Sequence, residues 1–199
     1  MVGRFDEARR LSDESMRLSI ELRGSVPAGA YETRSRIESL AGNLEAAERF
    51  AAMGYEFLVS VDNVANSSTS AGMRGVALLR QGLLEDAHRW ASICRETSSS
   101  DDVINQHLWR SVEAVIAARA GRAEEAGRMI EEAVAWADRS DTLMERAELR
   151  LAEAEIHHLA GRDDDARAAL DQARELYRRK GATVGEDLVH RKTAALGLG

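Results

Sequence analysis

The chain has 199 residues and a formal charge of −7, and it is 44% hydrophobic but only 5% aromatic. That hydrophobic fraction excludes a disordered chain, and an acidic balance without a basic block argues against nucleic acid as a direct partner, since phosphate binding needs a basic stripe. The one cysteine, Cys94, excludes an internal disulfide and points to a reducing, cytoplasmic home. No run approaches the ~18 apolar residues of a membrane span, and Met1-Val2-Gly3-Arg4-Phe5-Asp6 lacks the apolar core of a signal peptide.

Apolar periodicity predicts a first helix over 5–23, with Phe5, Ala8, Leu11, Leu18 and Ile20 as its stripe. Gly24-Ser25-Val26-Pro27 predicts a turn, with the proline placed to enter a helix over 28–41. Helix 44–61 follows Gly42 and ends near Asp62-Asn63. The next segment, 64–80, is weaker: Asn66-Ser67-Ser68-Thr69-Ser70 is poor in helix formers and is expected to fray. After helix 83–97, Ser98-Ser99-Ser100-Asp101-Asp102 reads as a loop plus helix cap, with a phosphorylatable or partner-binding loop as the functional alternative. Helices are predicted over 103–120, 123–138 and 142–160, the last opening on a capping box, Thr142-x-x-Glu145. Helix 163–179 has Asp163, Asp164 and Asp165 in its first turn and Arg178, Arg179 and Lys180 at its end, an order that complements the helix dipole. A short helix over about 184–196 would cap the C-terminal end.

These helices repeat. A glycine followed five residues later by an alanine recurs at Gly3/Ala8, Gly42/Ala47, Gly82/Ala87, Gly121/Ala126 and Gly161/Ala166, with glycines 39 or 40 residues apart. Such a period marks units that cannot bury their apolar faces alone and must stack on neighbours. The glycine ends one helix in a left-handed turn, and the alanine lets the next helix approach closely. Small residues seven before the internal glycines (Ser35, Gly75, Ala114, Ala154) and twelve after them (Gly54, Cys94, Ala133, Ala173) build the contact from both sides. Cys94 therefore reads as packing. Helix 5–23 has the character of a second helix without its first, which predicts an open apolar face. The chain reads as a fragment of a longer protein or, if Met1 is a true start, as one whose open face is covered by another protomer or by the preceding part of a complex.

Small residues at these offsets resemble the tetratricopeptide family over nearly the whole chain. The resemblance implies an all-α solenoid over 1–199 as a single repeat domain: a right-handed superhelix of about ten helices in antiparallel pairs. The chain departs from the family in its longer period, which lengthens the helices, and in lacking the proline that often closes a unit. Gly42-Asn43-Leu44-Glu45-Ala46-Ala47-Glu48-Arg49, Asp101-Asp102-Val103 with Leu108-Trp109-Arg110 and Ala118-Arg119-Ala120-Gly121, and Leu176-Tyr177-Arg178-Arg179-Lys180-Gly181 look like a narrower group. This is the C-terminal repeat region of actinobacterial signalling proteins that join a nucleotide-cyclase-like or DNA-binding domain to an AAA-type ATPase. Similar arrays occur in LuxR-type regulators. The bias of 25 arginines to 2 lysines agrees with a GC-rich source.

In the tetratricopeptide family the first helix of each pair lines the concave face, at two, three, six and ten residues before the turn glycine. The resemblance transfers that role to Arg80 and Arg119, to His158, to Arg36, Val76, Val115 and Glu155, and to Glu32 and Leu151. It implies a non-enzymatic protein-interaction or sensory scaffold that clamps an acidic peptide or carboxylate through arginines, against a plain solvated helix face. The alternative is a structural module that homo-oligomerises by end-on stacking, including a homodimer through helix 5–23. No membrane partner and no cofactor are expected. There is no Gly-x-x-x-x-Gly-Lys-Ser/Thr loop, and no serine or cysteine has a readable catalytic partner. His157-His158 with Glu153 and Glu155 comes nearest to a metal cluster, but one helix supplies it all and no second Glu-x-x-His exists, so no metal site is expected. His88, His107 and His190 read as surface residues, and Trp90, Trp109 and Trp136 as packing between helices.

Overall fold

The computed structural model describes residues 3–199, and among the described residues every element is an α-helix. In order these are α1 (Phe5–Arg23), α2 (Ala28–Ala41), α3 (Leu44–Ser60), α4 (Val64–Gln81), α5 (Leu84–Thr97), α6 (Val103–Arg119), α7 (Ala123–Ala137), α8 (Leu143–Leu159), α9 (Asp163–Lys180) and α10 (Val184–Ala195). The predicted elements are all present, with ends shifted by a residue or two.

The turn chemistry explains the regular order. Gly42 sits at φ 86°, its N–H donates to the Ser39 carbonyl at 3.2 Å, and the Asn43 N–H donates to the Glu38 carbonyl at 2.9 Å. This paired closure satisfies the last carbonyls of α2 and needs a left-handed residue. Gly82, Gly121 and Gly161 repeat it, each followed by one residue before the next helix starts, so the chain reverses within two residues. The turn between α3 and α4 has the same closure without glycine. Asp62 takes φ 56°, and the Asn63 N–H reaches the Leu58 carbonyl at 2.8 Å. Aspartate is one of the few side chains that accept this conformation.

Two expectations about local structure are overturned. The serine-rich start of α4 does not fray: Ser67, Ser68 and Ser70 are buried, the Ser67 and Ser68 hydroxyls donate back to the Val64 and Ala65 carbonyls, and Ser70 donates to Glu32 at 2.8 Å. Weak propensity is overridden by burial of small side chains against neighbouring helices. The capping box at Thr142 does not form either. Thr142 precedes α8, but its hydroxyl lies 2.6 Å from Ser140 Oγ and caps no backbone N–H. At Asp102 the predicted cap is present, with Oδ1 accepting from the Asn105 N–H at 3.1 Å.

The chain divides into two compact units, residues 4–109 and 110–199, with the boundary inside α6. In the N-terminal unit each helix packs on the next from α1 to α5, and α2 also meets α4. Close approach comes from the small positions. The Ser35 hydroxyl donates to the Ala47 carbonyl at 2.7 Å, and a Cβ on Gly75 would sit 3.4 Å from the Ala87 carbonyl oxygen and the Ala91 nitrogen. Cys94 is buried in this layer against Gly72, and burial with the nearby Asp102 charge pushes its thiol up to about 12. Trp90 fills a gap, with Tyr55 edge-on at 4.9 Å and the Arg74 guanidinium over its ring at 4.1 Å. In the C-terminal unit α7 packs on α8, α8 on α9 and α9 on α10. Ala126, Ala133, Ala154, Ala166 and Ala173 are fully buried there.

Candidate functional site

The site candidates lie on first helices, and each unit holds its own group. In the N-terminal unit Glu32 and Arg36 lie one turn apart on α2, both partly buried. Glu32 accepts the Ser70 hydroxyl of α4, and Arg80, near the end of α4, donates to Ser39 Oγ of α2 at 2.6 Å. These two bonds tie the first helices of adjacent pairs side by side. Arg80 itself is exposed and makes no ion pair among the described residues.

In the C-terminal unit the Arg119 Nε donates to Glu155 Oε1 at 2.8 Å, and Lys192 Nζ donates to Glu155 Oε2 at 2.5 Å. Burial pushes the Glu155 carboxyl up, but Lys192 and Arg119 outweigh it and hold it below the usual carboxylate range. Arg119 and Glu155, both placed on the concave face by the resemblance, are each other's partners. His158 turns to Asp163 at the start of α9, with Nδ1 2.8 Å from Oδ1. Leu151 is half-buried, and Val115, 2% exposed, belongs to the core. Lys192 was not among the residues drawn from the sequence. It lies on α10, which reads as a cap and falls outside the offsets carried by the repeat.

The histidines separate. His88 and His190 are exposed, but His107 is buried, contrary to its reading as a surface residue. It stands seven residues before the buried Ala114, two turns away on the same face of α6. His157 and His158 diverge, the first to Glu153 at 3.8 Å and the second to Asp163. No group of three metal-ligating side chains gathers among the described residues, and no helix there is long and apolar enough to cross a membrane.

Helix pairs, two-residue glycine turns and small-residue contacts define an all-α, repeat-like fold. No protein-family model matches the chain, and no curated protein matches it. Among solved structures it is similar to BtubC (BKLC) from P. vanneervenii, with a TM-score of 0.58 and 17% identity over 90% of this chain and 75% of that one. At that identity the likeness is one of fold.

Proposed function

We propose that the chain is a non-enzymatic interaction module of the tetratricopeptide kind, a cytoplasmic sensory scaffold in a bacterial signalling or transcription regulator. In this reading its first-helix face takes an acidic peptide segment. The observation that carries it is Arg80: an exposed guanidinium, steadied by the neutral Ser39 hydroxyl and left with donors for a carboxylate. Arg119 is a weaker anchor, because Glu155 already takes its Nε. Relaying occupancy to an output domain requires a ligand that binds two states of the array unequally. The end-on assembly alternative is less well supported, since the outer side of α10 carries exposed Glu186, Asp187, His190 and Arg191 and does not match an apolar partner face.

The test is selection of displayed acidic peptides against the full chain, followed by titration with Arg80→Glu. Selected peptides are expected to lose about tenfold or more in affinity, with helicity by circular dichroism unchanged. Peptides that bind the variant as well as the parent chain would sink the reading.

A further inference from the structure

Among the described residues, α1 leaves a whole helix face uncovered. In α3, α5 and α9 the alanine five residues after the turn glycine (Ala47, Ala87, Ala166) is fully buried, and each of these helices packs on the first helix of its own pair, α2, α4 or α8. In α1 the equivalent Ala8 is only half-buried, Ser15 is exposed, and Leu11, Leu18 and Leu22 are 52%, 41% and 81% exposed. The spacing of Ala8, Leu11, Ser15, Leu18 and Leu22 alternates three and four, which makes them a single stripe along the helix. The other side of α1 is occupied. Ser12 is buried, and Arg9 pairs with Glu38 of α2 at 2.9 Å.

The other pairs show what covers such a stripe. Glu7, Glu14 and Glu21 run beside it, each next to an arginine of its own segment, Arg4, Arg10 and Arg17, so the edge carries both signs and sets no charge barrier of its own. In the other pairs the equivalent stripe is covered by a first helix, and one of them supplies a polar contact at the position of Glu14. Glu132 of α7 stands eleven residues after Gly121, as Glu14 stands eleven after Gly3, and Glu132 accepts from Arg110 of α6 at 3.0 Å. We infer that the open face of α1 is an acceptor for a separate amphipathic helix lying antiparallel to it. That helix brings a small residue to Ala8 and an arginine or lysine to Glu14. This surface is distinct from the first-helix face that holds Arg80.

The probe is a labelled synthetic peptide of residues 103–122, which carries Arg110 and Ala114 at the required spacing, titrated by fluorescence anisotropy onto the full chain. Saturable binding is expected. Leu18→Asp, at an exposed position, weakens it about tenfold or more. Glu14→Arg weakens it by a smaller factor, and a peptide with Arg110→Glu restores binding to that variant. Arg80→Glu has no effect, so failure here is separable from failure of the acidic-peptide site. The proposal is overturned if binding is not saturable, if Leu18→Asp binds like the parent chain, or if charge reversal brings no rescue. It is equally overturned if light scattering shows the chain alone as a dimer that Leu18→Asp dissociates, because a second copy then covers the face.

Discussion

Glu38 is committed to three side-chain donors at once. It is buried at the end of α2 and accepts hydrogen bonds from Arg9 of α1, from Arg34 one turn back and from Asn43 of the following turn. Those bonds, with Arg9 the largest influence, outweigh burial and hold its carboxyl at about 2, against an ordinary value of 4.5. A depressed pKa contributes stability that is fully present above the unfolded value and lost as pH falls through the folded one. The window is therefore from about 4.5 down to 2, and the contribution is on the order of 3 kcal/mol. Thermal melts of the parent chain are expected to fall steeply across that window. Glu38→Gln should be less stable at neutral pH and much flatter below 4.5, and a variant that kept the parent's acid slope would remove this assignment. No sequence pattern pointed to Glu38, because its position in the other pairs is taken by Leu78, Ala117 and His157. A buried acid there is intelligible only once Arg9 and Arg34 are seen to converge on it.

At the scale of elements, the helices and their turns could be read in advance because the rules behind them are local. A left-handed glycine, a small residue two turns away and an apolar period each act within a few residues, and they placed ten helices to within a residue or two. Where neighbours decide the outcome, local rules gave the wrong answer. The serines of α4 are held by burial and by Glu32, and Thr142 is drawn to Ser140. The candidate face shows the same division. Offsets from the turn glycine identified Arg80, Arg119 and Glu155, but pairing between different helices gave Glu155 to Arg119 and Lys192. The join of α9 to α10 rests on another such contact. A Cβ on Gly185 would fall 2.1 Å from Cγ of the fully buried Tyr177. Gly185→Ala is accordingly expected to destabilise by roughly 2–4 kcal/mol in urea unfolding. A change within experimental error would mean that α10 shifts freely on α9.

Within each of the two units, the packed pairs of helices described are neighbours in sequence or, for α2 and α4, separated by a single helix. Stability in such a stack is built up interface by interface, so partial opening is a real alternative to global unfolding. Cys94 offers a way to time that opening. It is the chain's one thiol, fully buried beneath Gly72, and its high pKa leaves almost no thiolate at neutral pH. A maleimide or disulfide reagent can reach it only after α5 parts from α4 or from the start of α6, whose Asn105 carbonyl lies 3.9 Å from the sulfur. Modification in native buffer should therefore run at the rate, or the equilibrium, of that separation and quicken with small additions of urea. A rate that ignored urea until the main unfolding transition would instead show these helices parting only when the molecule unfolds. The buried sulfur thus serves as a built-in clock, reporting how often these helices come apart without any cysteine having been introduced.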